Sequence, residues 1–194
     1  MKSIILFPCD LQVYMSKPNT ISWSKERLLN WSDFQAESNP ASYEDAHGVI
    51  KFHYTWTVNS DNIGSQIRFF IENIDLTVEF HPLLSWVRLS QATSDLLKHE
   101  QGHFDLAQSL KPEIVKQIYS VFEGRKFPTR GQHPEQQKQF AREDSGLMIA
   151  NEVEKWEKYL CEKREEYDQL TDFGQISAKQ QEYNEQFKKL RDSN

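Results

Sequence analysis

The sequence His-Glu-Gln-Gly-His at residues 99–103 constrains this chain of 194 residues more than any other feature. On a helix, positions i and i+4 face the same side, so His99 and His103 project together. Two imidazoles in that arrangement supply two of the three protein ligands that a catalytic zinc needs. Glu100 is then placed to take a proton from water at such a site. The spacing therefore predicts a helix that carries a zinc site on one face.

The residues around this motif predict that the same face of the helix is buried. Apolar residues recur on or beside the side of the two histidines, namely Leu96, Leu97, Phe104, Leu106, Ala107 and Leu110. The histidines are therefore expected to be partly sheltered from bulk water. Thr93 or Ser94 is the expected N-cap. The alternative is a metal-free helix whose two histidines are hydrogen-bonded at the edge of the core.

Upstream of the motif, the pattern favours a small antiparallel sheet. Residues 48–58 alternate and are rich in β-branched and aromatic side chains, as in a half-buried strand. A turn cluster at residues 60–64 and a further extended run at 66–80 complete a predicted hairpin. Residues 66–76 are expected to form an edge strand, which is suited to holding a peptide by strand addition.

Downstream of the motif, the pattern is helical. Pro112 is expected to kink the motif helix or to start a new one. Residues 135–167 and 177–190 predict two further polar helices, separated by a break at Gly174. The chain is therefore predicted to be one α+β domain over residues 1–194, with sheet and loops up to about residue 90 and helices from about residue 91.

Composition and charge exclude several classes of partner. The formal net charge is −6, and no basic patch is interleaved with aromatic residues, which argues against nucleic acid. No stretch approaches the roughly 20 apolar residues of a membrane span. Cys9 and Cys161 lie far apart and match no metal or disulfide spacing. The apolar run before Pro8 is too short for a signal peptide, so the sequence as written predicts a cytoplasmic protein.

Three blocks resemble the bacterial domain-of-unknown-function family 922, whose members are described as predicted zinc-dependent proteases. The blocks are Leu-Asn-Trp-Ser-Asp-Phe at 29–34, Phe-His-Pro-Leu-Leu-Ser-Trp-Val at 80–87 leading into the motif block at 96–105, and Tyr-Asp-Gln-Leu-Thr-Asp-Phe-Gly at 167–174, trailed by Gln180 and Gln181. The resemblance implies a zincin-like fold, in which a small antiparallel sheet packs on the motif helix and long C-terminal helices follow. It also implies a zinc cofactor and, for localisation, a periplasmic or secreted alternative.

The chain departs from the family pattern at two positions. Phe173 stands where the family tends to have a histidine, and Gln108 stands where an acidic residue often follows the motif. The third ligand is therefore left open. Asp168 is preferred because it belongs to the family-like block at the end of a long helix, and Glu113 is the alternative. A third ligand elsewhere in the chain, or none at all, also remains open. Asp172 is a candidate partner for Asp168.

The function predicted on this basis is zinc-dependent hydrolysis of a peptide or protein substrate. Glu100 acts as general base, and Tyr167 is either a donor to the oxyanion or a structural tyrosine. The competing hypothesis is a zincin-like module that has lost catalysis and binds a partner through its polar C-terminal helices. Phe173 and Gln108 favour the second hypothesis, whereas the intact motif favours the first.

Overall fold

Within the described residues, three helices accompany a small antiparallel sheet, so the predicted α+β class is confirmed. The structure, a computed structural model, describes residues 19–63 and 66–193. The helices are α1 (Ser94–Phe122), α2 (Pro134–Thr171) and α3 (Ser177–Asp192), and the strands are β1 (Ile21–Ser22), β2 (Ala46–His47), β3 (Ile50–Ile63), β4 (Gln66–Phe80), β5 (Trp86–Val87) and β6 (Phe127–Pro128). Cys9 and the apolar run before Pro8 lie outside the described residues.

Strand β4 is the centre of the larger sheet. β3 pairs with one side of β4, while β1 and β6 pair antiparallel with the other, so that Ile21 lies opposite Phe80 and Phe69 opposite Phe127. The predicted hairpin is therefore confirmed. The expectation that residues 66–76 form an edge strand is wrong at Arg68 and Phe69, which pair with β6, while β1 pairs with β4 only at Glu79 and Phe80. β2 and β5 form a separate pair.

Strand β3 extends further than the sequence indicates. β3 continues through polar residues to Ile63, which places residues 60–63 in the strand. The carboxylate of Asp61 lies 2.5 Å from the Lys126 ammonium, and this ion pair favours the extended conformation of an otherwise turn-prone segment. The prediction of a turn over residues 60–64 was therefore wrong for its described part.

The described chain divides into two compact units, each formed from separate segments. The first, which we call the motif unit, consists of the described residues of Ser16–His53, Thr77–Pro112 and Glu157–Asn194. The second, which we call the hairpin unit, consists of the described residues of Tyr54–Leu76 and Glu113–Trp156. The single-domain prediction stays a prediction.

Aromatic side chains fill the core of the motif unit. The Phe80 ring lies 5.1 Å from that of Phe34 and 6.1 Å from that of Phe104, between centroids. Leu106, Tyr167 and Phe187 form a second buried cluster, which draws on α1, α2 and α3. Burial of such large apolar rings stabilises each unit by removing apolar surface from water.

The hairpin unit has its own core. The Phe127 ring of β6 lies 5.4 Å from Phe69 on β4 and 6.3 Å from Phe122 on α1. Trp56 donates its indole hydrogen to the hydroxyl of Ser145 (3.1 Å), which satisfies the polar end of a large apolar side chain.

Helix α1 begins where the sequence predicts and continues further than expected. The Thr93 hydroxyl accepts a hydrogen bond from the Leu96 backbone N–H (3.2 Å), as an N-cap does. The helix then runs through Pro112 to Phe122, so no new helix starts at this proline. Ile114 and Ile118 are fully buried just beyond Pro112, and this burial offsets the hydrogen bond that proline removes.

A tight turn joins α2 to α3. Three consecutive residues in it have positive φ angles, namely Asp172 (48°), Phe173 (53°) and Gly174 (85°). The predicted break at Gly174 is therefore confirmed. The backbone N–H of Ile176 donates to the carbonyl of Thr171 (2.8 Å), which closes the turn and places α3 beside the end of α2.

Candidate metal centre

Three side chains of ligand type meet inside the motif unit. The Nε2 atoms of His99 and His103 each lie 3.0 Å from the same oxygen, Oδ1 of Asp168. The two imidazole rings are 4.8 Å apart between centroids. Both histidines are buried, with 1 % and 4 % of their surface exposed, while Asp168 is partly exposed. The structure thus brings together the three residues that were expected to bind zinc.

Gly102 in the middle of the motif explains how Asp168 reaches the histidines. A Cβ atom at position 102 would lie 2.1 Å from the hydroxyl oxygen of Tyr167, a distance that no side chain tolerates. Because glycine has no Cβ, the Tyr167 ring packs against α1, parallel to the ring of His99 at 4.7 Å. Asp168 follows Tyr167 in the chain, so this contact places Asp168 next to the two histidines.

The amide of Gln180 on α3 fixes the orientation of His99. Its nitrogen donates to the Tyr167 hydroxyl (2.7 Å) and to Oδ1 of Asn184 (2.9 Å), so its oxygen faces Nδ1 of His99 at 3.2 Å. Since an amide oxygen only accepts hydrogen bonds, Nδ1 of His99 carries a hydrogen. Nε2 is therefore the ring nitrogen that faces the carboxylate of Asp168.

The charge states of the cluster follow from burial and from these contacts. Burial, followed by the positive charge of Arg164, lowers the pKa of His103 to about 3, so this ring is neutral near pH 7. Burial alone would raise the pKa of Asp168, but hydrogen bonds with His103 and His99 outweigh it and hold the pKa of this carboxyl well below its usual range. The cluster therefore contains a carboxylate anion and a neutral His103 ring, and both are ligand types for metal ions.

Glu100 lies beside this cluster and is itself buried. Its surface is 4 % exposed, and one carboxylate oxygen accepts the backbone N–H of Gly48 at 2.9 Å. Burial raises the pKa of Glu100 to about 7, although the charges of His99 and Arg164 act in the opposite direction. A carboxyl group with a pKa near neutrality is suited to accepting a proton and returning it.

A cavity of about 490 Å³ in the motif unit is lined by His99 and Glu100. The rings of Tyr43 and Phe173 meet edge to face at 5.8 Å on its wall. Phe173 stands where the resemblance predicts a histidine, and its ring lies 6.4 Å from that of His99. The cavity wall next to His99 is therefore aromatic at this position.

The contacts of Tyr167 do not support the predicted role as oxyanion donor. Its side chain is fully buried, and its hydroxyl donates to the oxygen of Gln180 (3.1 Å) and lies 3.4 Å from the backbone oxygen of His99. Burial also raises the pKa of this hydroxyl above its ordinary value. These contacts give Tyr167 the structural role, which is to hold the ring of His99.

The other acidic candidates have different surroundings. Glu113, the alternative third ligand, is exposed and accepts a hydrogen bond from Gln117 at 2.5 Å. Asp172 is exposed in the α2–α3 turn. Asp105 is buried, accepts the indole hydrogen of Trp23 (2.7 Å), and pairs with Arg191 of α3. In the described part of the chain, only His99, His103 and Asp168 form a group with metal-ligand geometry.

Arg164 was not found from the sequence. Its Nε–H donates to Nδ1 of His103 (3.3 Å), and a terminal nitrogen of its guanidinium donates to the carbonyl of Gly48 (2.8 Å). The available signal was its position four residues before Asp168 on one helix, which places both side chains on the same face. Gln180 was noted only as a residue that trails the third family-like block, and its role was not predicted because it depends on the turn between α2 and α3.

Comparisons of the chain with family models, with curated proteins and with solved structures gave no match. The resemblance to family 922 therefore stays a prediction, as does the location of the protein. Among the described helices, none is both long and apolar enough to cross a lipid bilayer.

Proposed function

We propose that this protein is a zinc-dependent hydrolase of the zincin type that cleaves peptide bonds. The observation that carries the proposal is the single Asp168 oxygen, which lies 3.0 Å from Nε2 of both His99 and His103. The hydrogen bond to Gln180 leaves Nε2 as the nitrogen of His99 that faces this oxygen. Ring nitrogens this close to a carboxylate oxygen need a proton or a cation between the two atoms.

The donor set fits zinc. Two neutral imidazoles and one carboxylate are the ligand types that catalytic zinc sites use, with a further position left open. Zinc held by His99, His103 and Asp168 would supply a Lewis acid that polarises a carbonyl group and acidifies water. The hydrogen bond from Nδ1 of His99 to Gln180 is the kind of outer contact that orients a ligand histidine.

The residues around the site supply the rest of the chemistry. Glu100, with its pKa of about 7, takes a proton from the attacking water and returns it to the leaving amine. The Gly48 N–H holds the carboxylate of Glu100 in place. The cavity beside His99 and Glu100 gives a substrate access to the reacting groups.

A second candidate function is a non-catalytic module with the same fold. Phe173 favours it, because an apolar ring lines the cavity where the family pattern has a histidine. The buried carboxylate of Glu100 favours the enzyme, because an uncompensated buried acid is costly in a protein that has no use for it.

Metal analysis of the purified chain tests the proposal. We expect about one zinc per chain after reconstitution, lost on His103→Ala and on Asp168→Ala. Asp172→Asn is the matched control, since it removes the same charge four residues from Asp168, and it should keep the zinc. A wild-type chain that takes up no zinc, or a zinc content unaffected by Asp168→Ala, would contradict the proposed site.

A further inference from the structure

Arg164 joins the proposed zinc ligands to the proposed base. It donates to the ring of His103 and to the carbonyl of Gly48, while the N–H of Gly48 donates to Glu100. The backbone of one residue, Gly48, is thus held between the arginine and the glutamate. The guanidinium is therefore fixed beside the groups that would carry out the reaction.

The positive charge of Arg164 is not neutralised by an ion pair. Both of its acceptors are uncharged, and among the described residues it forms no ion pair with a carboxylate. Arg27, Arg88 and Arg191 of the same unit each pair with an aspartate. Arg164 is thus a half-buried cation that acts on Glu100 without forming an ion pair with it.

The positive charge of Arg164 opposes the binding of a metal ion when no anion binds with it. Two positive charges in a poorly solvated site repel each other. In addition, a His103 ring that presents the lone pair of Nε2 to a cation carries its hydrogen on Nδ1, where it would face the Nε–H of Arg164. The Nε–H of Arg164 must then turn away from the ring of His103. It becomes a free, charged hydrogen-bond donor beside the three ligand residues.

We propose that Arg164 is a catalytic residue that binds an oxygen anion of the substrate at the zinc site. The inference rests on the proposed function. The anion is either the oxygen that becomes negative as a peptide carbonyl is attacked or a free C-terminal carboxylate of the substrate. Tyr167, the donor candidate from the sequence, is already hydrogen-bonded to Gln180. Arg164 is therefore the donor for this anion.

Acetate is a probe for this anion that needs no knowledge of the substrate. We expect acetate to bind the zinc-loaded chain, and Arg164→Gln to weaken this binding roughly 10- to 100-fold, as the loss of a charge-assisted hydrogen bond does. Arg164→Lys should lie between the two. Lys163→Gln is the matched control, because it removes the charge of a neighbouring, partly exposed residue that pairs with Glu166, and it should leave acetate affinity unchanged.

Zinc affinity, measured by competition with a chromophoric chelator, separates this role from a structural one. Removal of a repelling cation should leave the zinc affinity of Arg164→Gln equal to or tighter than that of the wild type. Weaker zinc binding, or an unchanged acetate affinity, would mean that Arg164 only supports His103. Either result would overturn this inference and leave the proposed function standing. A wild-type chain without zinc would overturn the proposed function and this inference together.

Peptide hydrolysis distinguishes the two sources of the anion. A peptide pool with amidated C-termini and the same pool with free C-termini are incubated with zinc-loaded wild-type and Arg164→Gln chains. If Arg164 stabilises the reacting carbonyl oxygen, the variant is slowed equally on both pools. If Arg164 binds a terminal carboxylate, only cleavage of the free-acid pool is slowed. Equal rates for both chains on both pools would refute either form of the inference.

Discussion

At the scale of one residue, the buried carboxyl of Glu100 lowers the stability of the folded chain. Its carboxyl is buried, and Gly48 is its hydrogen-bond donor. Because burial disfavours the charged form, the pKa rises from 4.5 to about 7 in the folded chain. The unfolded chain releases this proton at a lower pH. Glu100 therefore destabilises the folded state increasingly as the pH rises through the interval from 4.5 to about 7.

The substitution Glu100→Gln tests this linkage in the metal-free protein. An amide keeps the shape and can still accept the Gly48 N–H, but it has no charge to bury. We expect the variant to be more stable than the wild type by on the order of 2 kcal/mol at pH 8, with the gain almost gone at pH 4.5. Denaturant unfolding in the presence of a chelator measures both values. An equal gain at the two pH values would show that charge burial is not its cause.

The sequence predicted the site residues to different degrees, for physical reasons. His99, Glu100 and His103 belong to one helical turn, so their geometry is local and follows from spacing. Asp168 was preferred only through the resemblance, because the sequence does not state which helix packs on α1. Arg164 and Gln180 were missed because their roles depend on hydrogen bonds across three helices, and such contacts leave no periodic signal.

At the scale of helices, two glycines in similar local structure have opposite environments. Gly102 lies in α1 against the fully buried ring of Tyr167, where a Cβ atom would be 2.1 Å from the hydroxyl oxygen and 2.8 Å from Cζ. Gly146 lies in α2, where a Cβ atom would meet the Trp56 ring at an ordinary 3.5 Å. The first glycine permits a close approach between helices, whereas the second only weakens its own helix.

The same substitution at both positions should therefore have opposite effects. Gly102→Ala should displace Tyr167, lower the unfolding free energy by about 1–3 kcal/mol, and weaken zinc binding at least tenfold because Asp168 moves with its neighbour. Gly146→Ala should raise stability by about 1 kcal/mol and leave zinc affinity unchanged. Chemical denaturation and chelator competition measure both. Wild-type zinc affinity in Gly102→Ala would refute the role given to this contact.

The elements themselves were predicted where short-range patterns determine them. Alternation gave the β3–β4 hairpin, and helical periodicity with Gly174 gave α2 and α3. The errors lay where tertiary burial overrides a local preference. Pro112 remains inside α1 because the chain beyond it is buried. The pairing of Arg68 and Phe69 with β6 was missed because β6 is only two residues long.

At the scale of the whole molecule, the proposed zinc ligands come from segments far apart in sequence but belong to one compact unit. The motif unit joins described residues from three stretches of chain, and it contains both histidines of α1 and Asp168 of α2. A ligand that binds only the folded chain stabilises it in proportion to the logarithm of its concentration. Zinc should therefore act as a cross-link between α1 and α2 inside this unit.

Zinc loading should produce a large and localised gain in stability. At a free zinc concentration about 1,000 times its dissociation constant, the gain is about 4 kcal/mol, which corresponds to a rise in melting temperature of about 8–16 °C for a chain of this size. His103→Ala should show no rise. Hydrogen exchange should slow most in peptides of the motif unit that contain His99 or Asp168, since local opening there must break the zinc ligation. Slowing confined to the hairpin unit, over Tyr54–Leu76 and Glu113–Trp156, would mean that zinc binds elsewhere.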